Sequence, residues 1–535
     1  MRLLVVAALV AACSHPSSST APTSGSWKGP DVLAHVPADT PYMFALLEPP
    51  SEAVRKKMPG NMDVLVIPAL KESAAVPLDK RIGLDPPKRA LLGIMDAMRG
   101  TDPTRWWENL GFANNGHWVL YGMGIWPVLR IEVGDPNKLR AILGEAVKTL
   151  AMPDLQQKES TGVSYWVASK FGVSAIVSVT DHEVVAALLP SQSLAATVPV
   201  VLGQKAVEHN LRDSGEIADL MARYHLVPAT IGVLDTRRVI AALERRDDLS
   251  TTSVFTAPAC HADYDRMAAV IPRIVLGYRQ LDTQGFMASL AFETSPEIAK
   301  QLAALHTAMP AAPDPAHAML SLVVAADVDA GVATLRGWLQ GLADRPFQCE
   351  QLAILKMVIA GALEETKNLI PPELKGLRGG ELVVEEATES PPGGAGYLLV
   401  AGDQIAIALG QALQKIPGIG GSLSIAPDGQ PLELPVGMLG IPGLTSAHLA
   451  MHTSRAALAI GPRSKTDVTA ALAAPNASRS PLMAFNWDIA KFIRQVPSVL
   501  KEDNRNNLAA IATMTSTLDV RDDTVAIDIG GTWVK

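Results

Sequence analysis

Apolar positions along this chain fall into short runs with a period of two, separated by longer runs with a period near 3.6, so strands and helices are expected to alternate. The first run, His35-Val-Pro-Ala-Asp-Thr-Pro-Tyr-Met-Phe-Ala-Leu-Leu, is a turn feeding an apolar strand. A helix is expected over 86–98, followed by strands over 117–122 and 127–133. Asp135-Pro136 then sets an N-cap before a proline at the first helical position. Leu139, Ile142, Leu143, Val147 and Leu150 share one face of the helix that follows. Strands over 164–168 and 173–179 precede a helix over 192–200. Ala229 to Asp235 reads as a strand entering a helix over 236–243, with another helix over 262–271. Residues 274–281 and 285–293 form an antiparallel hairpin around Asp282-Thr283-Gln284.

The second half repeats this order. Pro313-Asp-Pro-Ala-His-Ala-Met-Leu-Ser-Leu-Val-Val echoes the opening run, and strands over 448–452 and 456–460 with a helix from Lys465 echo the pair at 164–179. Pro481-Leu-Met-Ala-Phe-Asn-Trp-Asp-Ile-Ala-Lys-Phe-Ile echoes 229–243, while a helix over 504–511 and the hairpin 514–520 with 524–529 echo 262–293. The fold class expected is therefore α+β: two tandem, duplicated lobes of antiparallel sheet, over 31–300 and 310–535, with helices packed on one face of each sheet. Two stretches break the pattern. Residues 371–396 are rich in Pro, Gly and Glu and read as a solvated loop around one short strand. Residues 416–445 carry only Asp428 and Glu433 as acidic charges among many Gly, Pro and Leu. Such an apolar loop is either a cover over an apolar groove (or a surface meeting lipid or a partner), or a pair of short buried strands with tight turns.

The N-terminus changes the picture most. Arg2, the apolar run from Leu3 to Leu9, and Val10-Ala11-Ala12 before Cys13 lay out a secretory signal peptide over 1–12, too short to span a bilayer. The layout resembles the bacterial lipobox. The resemblance implies cleavage before Cys13, acylation of its thiol by chains such as palmitate, and a membrane anchor. Residues 13–30, with Ser-His-Pro-Ser-Ser-Ser-Thr-Ala-Pro-Thr-Ser-Gly, are too polar and turn-rich to order themselves and read as a flexible lipidated tether. By resemblance to the enterobacterial sorting rule, Ser14 in place of aspartate favours the outer membrane over the inner, with the body in the periplasm or outside the cell.

A length of 535 residues with 48% hydrophobic side chains calls for more than one core, and 5% aromatics makes those cores aliphatic. A formal charge of −8 over so long a chain argues against nucleic acid as a partner and against electrostatic docking on anionic lipid. With Cys13 lipidated, Cys260 and Cys349 remain, and an oxidising compartment favours their pairing. Closing that 89-residue separation would constrain the unfolded chain by about 4.5 kcal/mol in the loop-entropy model, and the bond would cross the seam between the lobes.

No motif for catalysis stands out. Asp528-Ile-Gly-Gly-Thr532 resembles the phosphate hairpin of sugar kinases in the actin-like ATPase superfamily, but no second phosphate motif accompanies it, and it reads as a last strand with a Gly-Gly end. His448 and His452 could share one metal from the same strand face, although no carboxylate or cysteine lies nearby in sequence to complete a site. Flanking Leu449 and Met451 fit an inward face and leave both histidines towards solvent. Asp181-His182-Glu183 reads as a turn, and Trp106, Trp107 and Trp126 read as packing more readily than as a ligand groove. Nucleophile-elbow, Cys-x-x-Cys, His-Glu-x-x-His, P-loop and dinucleotide patterns are absent.

Val36-Pro-Ala-Asp-Thr-Pro-Tyr, Val119-Leu-Tyr-Gly-Met-Gly with Pro127-Val-Leu-Arg-Ile, and Pro272-Arg-Ile-Val-Leu-Gly-Tyr resemble stretches of uncharacterised lipoproteins of myxobacteria and their relatives, over roughly residues 31–300. The resemblance implies export and architecture and carries no catalytic residue across. The expectation is a non-enzymatic, cofactor-free envelope lipoprotein, tethered to the membrane, that binds a hydrophobic ligand or an envelope protein. The alternatives are a periplasmic hydrolase with a dispersed active site and, third, a passive spacer or scaffold in the cell envelope.

Overall fold

A computed structural model describes residues 27–58, 106–150, 155–244, 258–310, 318–371, 375–389, 392–403, 405, 407, 425–438, 443–477, 480–499 and 508–534. The leader, Cys13 and the helix expected over 86–98 lie outside the described residues. The fold is mixed α and β, with nineteen described strands in antiparallel pairs. Two compact units divide the chain, residues 1–256 with 272–288 and residues 257–271 with 289–535. The division therefore falls before the expected 300/310 seam and assigns one helix against its sequence neighbourhood.

In the first unit the strands are β1 Tyr42–Leu46, β2 Trp118–Met123, β3 Trp126–Glu132, β4 Leu155–Ser160, β5 Val163–Lys170, β6 Val173–Val179, β7 Glu183–Pro190, β8 Thr230–Asp235 and β9 Arg273–Leu281. Their order in space is β4-β5-β6-β7-β3-β2-β1-β8-β9. The next strand, β10 Gly285–Glu293, contains the point of division. Helix α1, Pro136–Leu150, starts where expected: the Lys138 backbone N–H donates to Asp135 Oδ1 at 2.9 Å. Its Leu139 and Leu143 pack on Leu120 and Leu129 from one face of the sheet. Helix α2, Leu194–Val201, lies on the other face, where Arg130 Nη1 donates to the Val201 carbonyl at 2.5 Å. Helices thus cover both faces here, which corrects the one-sided packing expected. Asp235 ends β8 and caps α3, Thr236–Glu244, by accepting from the Arg238 N–H at 2.9 Å.

The second unit contains β11 Leu320–Val324, β12 Leu377–Glu389, β13 Pro392–Gly402, β14 Leu432–Glu433, β15 Ala447–Met451, β16 Arg455–Ile460, β17 Met483–Asp488, β18 Ile511–Arg521 and β19 Thr524–Trp533. They run in the order β14-β15-β16-β13-β12-β11-β17-β18-β19. The stretch read as a solvated loop, 371–396, is instead most of the long β12–β13 hairpin. The α-helices of the second unit include α4 Pro258–Val270, α5 Val328–Asp344, α6 Ala353–Glu365, α7 Ser464–Ala473 and α8 Ile489–Gln495, with a further helix at Pro296–Ala303. One face of the sheet is a core of small side chains: Ala401, Ala457, Ala459 and Ala484 let α7 approach closely with Val468, Ala471 and Leu472. Asp488 caps α8 as Asp235 caps α3, accepting from the Lys491 N–H at 2.7 Å.

Cys260 of α4 and Cys349, which follows α5, form the expected disulfide. Both cysteines belong to the second unit, so the bond fastens a helix within that unit and does not cross the seam. Asp263 strengthens the attachment by accepting from the Gln348 and Cys349 backbone N–H groups at 2.5 and 2.8 Å, while the Arg266 guanidinium stacks 4.4 Å from the Phe347 ring centroid.

Candidate functional site

The residues singled out for chemistry are dispersed and committed to structure. His448 lies on β15 facing α7, where its Nδ1 is 2.9 Å from Ser464 Oγ, so it does not face solvent as expected; His452 follows the strand end and is exposed. Among the described residues, no group of three or more His, Cys, Asp or Glu side chains is placed to hold a metal. Asp181 is an exposed turn residue paired to Arg140 at 2.7 Å, and Glu183 opens β7. Asp528 sits within β19, paired to Arg521 at 2.8 Å, and the Gly-Gly-Thr that follows is strand backbone. Trp126 is half-buried at the start of β3, and Trp106 and Trp107 open a short helix, Trp106–Leu110.

The most buried charge, Arg130, is 0% exposed and bonded to both Glu183 oxygens as well as to the Val201 carbonyl. His35 Nε2 stands 3.8 Å from Glu183, and burial followed by the Arg130 charge pushes its pKa down. This is a closed ion pair of the core: every guanidinium nitrogen that could act on a substrate already has a partner. The second unit places the opposite arrangement on the equivalent sheet face. There Glu381 is buried on β12, accepts from Tyr397 Oη at 2.9 Å and feels the charge of Arg455 on β16; burial pushes its pKa up.

A cavity of about 550 Å³ opens on the other face of the second unit's sheet. Its walls include Leu382 and Val384 of β12, Leu398 of β13, Leu458 and Ile460 of β16, and Leu444. The leucines belong to a continuous row, because Leu449, Leu458, Leu398, Leu382, Leu322 and Phe485 stand opposite one another on six adjacent strands. Leu382 and Leu398 remain 40% and 42% exposed, high values for mid-strand leucines in a sheet of this size. The described part of the apolar 416–445 segment packs on the same face: Ile425, Leu434, Val436 and Leu444 meet Leu449, Leu458 and Ile460. Among its described residues the segment forms one two-residue strand, β14, rather than two buried strands, and Leu444 lines the cavity.

The rest of the cavity comes from the outer part of the β12–β13 hairpin. A register shift between Val384 and Glu386 marks a β-bulge, and Gly394 and Gly396 stand across from it. A Cβ on Gly396 would meet the Val383 carbonyl oxygen at 2.2 Å, so the close strand approach at the bulge requires glycine there. Without side chains, these glycines also leave room over the leucines. No reading of the sequence identified this hairpin as part of a site; the signal available was Leu382-Val383-Val384 and Tyr397-Leu398-Leu399 flanking a Gly-Pro cluster, the mark of two strands and a turn. An apolar cavity of this size, with one charged side chain in its lining, can hold and orient an apolar molecule; it brings no acid and base together.

Comparison of the chain with protein families, with curated proteins and with solved structures finds no match.

Proposed function

We propose that the protein is a non-enzymatic lipoprotein of the bacterial cell envelope, anchored by acyl chains on Cys13, whose second unit binds an apolar small molecule drawn from lipid. The observation that carries the reading is the 550 Å³ cavity over exposed Leu382 and Leu398, within the range of small-molecule sites. Filling it removes those leucines from water, at about 25 cal/mol per Å² of apolar surface. A neutral fluorophore such as N-phenyl-1-naphthylamine tests it directly: the full chain should show saturable enhancement, reduced at least tenfold in affinity by Leu398→Asp. No saturable binding, or unchanged binding by a folded Leu398→Asp, ends the proposal. The anchor has its own test, since mass spectrometry of the native protein should find a diacylated or triacylated Cys13 as the first residue.

The two units are also proposed to descend from one duplicated sheet. Eight consecutive strands, from β5 to β9 in the first order and from β14 to β18 in the second, correspond once β6–β7 is matched to β15–β16, one strand later than the echo read from sequence. Equivalent hydrogen bonds recur at matching places. Leu47 N–H to the Ala229 carbonyl corresponds to Ala325 to Leu482, Asp235 to Pro41 corresponds to Asp488 to Met319, and Thr180 to Glu183 corresponds to His452 to Arg455. Gly111 and Gly376, both at positive φ, accept from Gly134 and Asp403 at equivalent turns. Shared backbone detail of this kind is not required by a common α+β layout.

A further inference from the structure

We propose that the cavity selects amphiphiles whose head group is a cationic amine, through the Glu386 carboxylate; this deepens the ligand-binding reading and rests on it. Among the described residues that line the cavity, Glu386 carries the single formal charge, and it sits beside the bulge where the hairpin meets solvent. Its neighbours are already engaged. Glu385 is bonded to Arg463, whose guanidinium also lies 4.0 Å from Asp467, and Glu389 accepts from the Ser498 N–H and Oγ at 2.8 and 2.7 Å. Arg463 feels the Glu386 charge only after those of Glu385 and Asp467. Among the described residues, no hydrogen-bond donor is placed on the Glu386 carboxylate itself.

An apolar chain lying on Leu382, Leu398 and Leu458 would bring its polar end to the cavity edge, since nothing on the leucine floor could solvate it. At that edge Glu386 has no hydrogen-bonded or ion-paired partner among the described residues, and the Arg463 charge reaches it only after Glu385 and Asp467. An ammonium head gains a charge-assisted hydrogen bond there, whereas a carboxylate head meets like charge. Because Glu386 is exposed, the preference is modest and screened by salt. Three probes of equal chain length separate the cases: dodecylamine, dodecanol and dodecanoate, each displacing N-phenyl-1-naphthylamine from the full chain below its micelle concentration.

The expected order is amine, then alcohol, then carboxylate, with steps of about threefold at low salt that shrink as salt rises. Glu386→Gln should bring amine and carboxylate together while leaving the alcohol unchanged. Glu385→Gln, which removes an equal charge outside the lining, should preserve the order. If the alcohol displaces the dye but amine and carboxylate compete equally, or if Glu386→Gln leaves the order intact, head-group selection is wrong and the apolar site stands. If the dye itself does not bind, the ligand-binding reading has failed beneath it.

Discussion

Eight consecutive strands run in the same order in the two units, and the units use one face of that sheet in opposite ways. In the first, Leu129 is 6% exposed, sealed beneath Leu139 and Leu143 of α1 together with Trp118 and Ile131. In the second, Leu398 holds the corresponding place opposite Leu382 and is 42% exposed at the floor of a cavity. Strand order does not explain the difference, because it is shared. Hairpin length does. β2 and β3 have 6 and 7 residues and turn at Gly124, where φ is +58°, whereas β12 and β13 run to 13 and 11 residues with a bulge. The added length supplies the cavity's outer wall, and an apolar segment ending near Leu444 supplies another. A structural face becomes a binding face by elaboration at its edge.

The sharpest test substitutes the two equivalent leucines. Leu129→Ala leaves a void in a sealed cluster and should cost about 2–5 kcal/mol, read as a lower urea midpoint for the first unit. Leu398→Ala removes a side chain that is nearly half in water, so its cost should stay below about 1 kcal/mol while dye affinity falls. Equal costs would mean that the cavity is not open in solution, and the comparison would collapse.

The disulfide gives a second contrast, because it belongs to one unit alone. Cys349→Ser should lower the stability of the second unit by about 2–4 kcal/mol and leave the first unit's transition where it was. A matching loss in both would show that the units unfold together. Next in size is Gly396→Ala. The added Cβ meets backbone oxygen, which cannot rotate away, so about 1–3 kcal/mol should be lost from the second unit along with dye binding. Pro127→Ala, at the corresponding place beside the first unit's turn, should cost less.

Much of this was legible in sequence where one face of an element is polar. The N-cap at Asp135, the β9–β10 hairpin and the run from β8 into α3 all stand where periodicity placed them. β12 and β13 were not legible as strands because Gly379-Gly380 and the glutamates at 381, 385, 386 and 389 break the apolar alternation, and because Pro391–Gly396 suggests a loop. α4 misled for a different reason: sequence neighbours predict membership of the first unit, but a disulfide and an Asp263 cap fasten it to the second. The leucine row was invisible too, since it exists only once six strands distant in sequence are laid in register.

The smallest expected effect is also the one that tells the two buried charge clusters apart. His35 has its pKa lowered from 6.5 in the folded first unit, by burial and then by Arg130, with Glu183 and Asp31 opposing. The folded state therefore resists protonation, so the stability involved is present above pH 6.5 and is lost as pH falls through the lower folded pKa. Glu381 has its pKa raised from 4.5 in the second unit, by burial, against the Tyr397 hydrogen bond and the Arg455 charge. Its contribution is present below pH 4.5 and is lost as pH rises through the higher folded pKa. Each unit of pKa difference is worth about 1.4 kcal/mol, so urea midpoints taken between about pH 4 and pH 8 can resolve the two. Glu381→Gln should flatten only the loss on raising pH, and His35→Asn only the loss on lowering it. If both variants flattened the same limb, the inverted charges would not be responding to their own surroundings, and the opposition between the clusters would have no thermodynamic content.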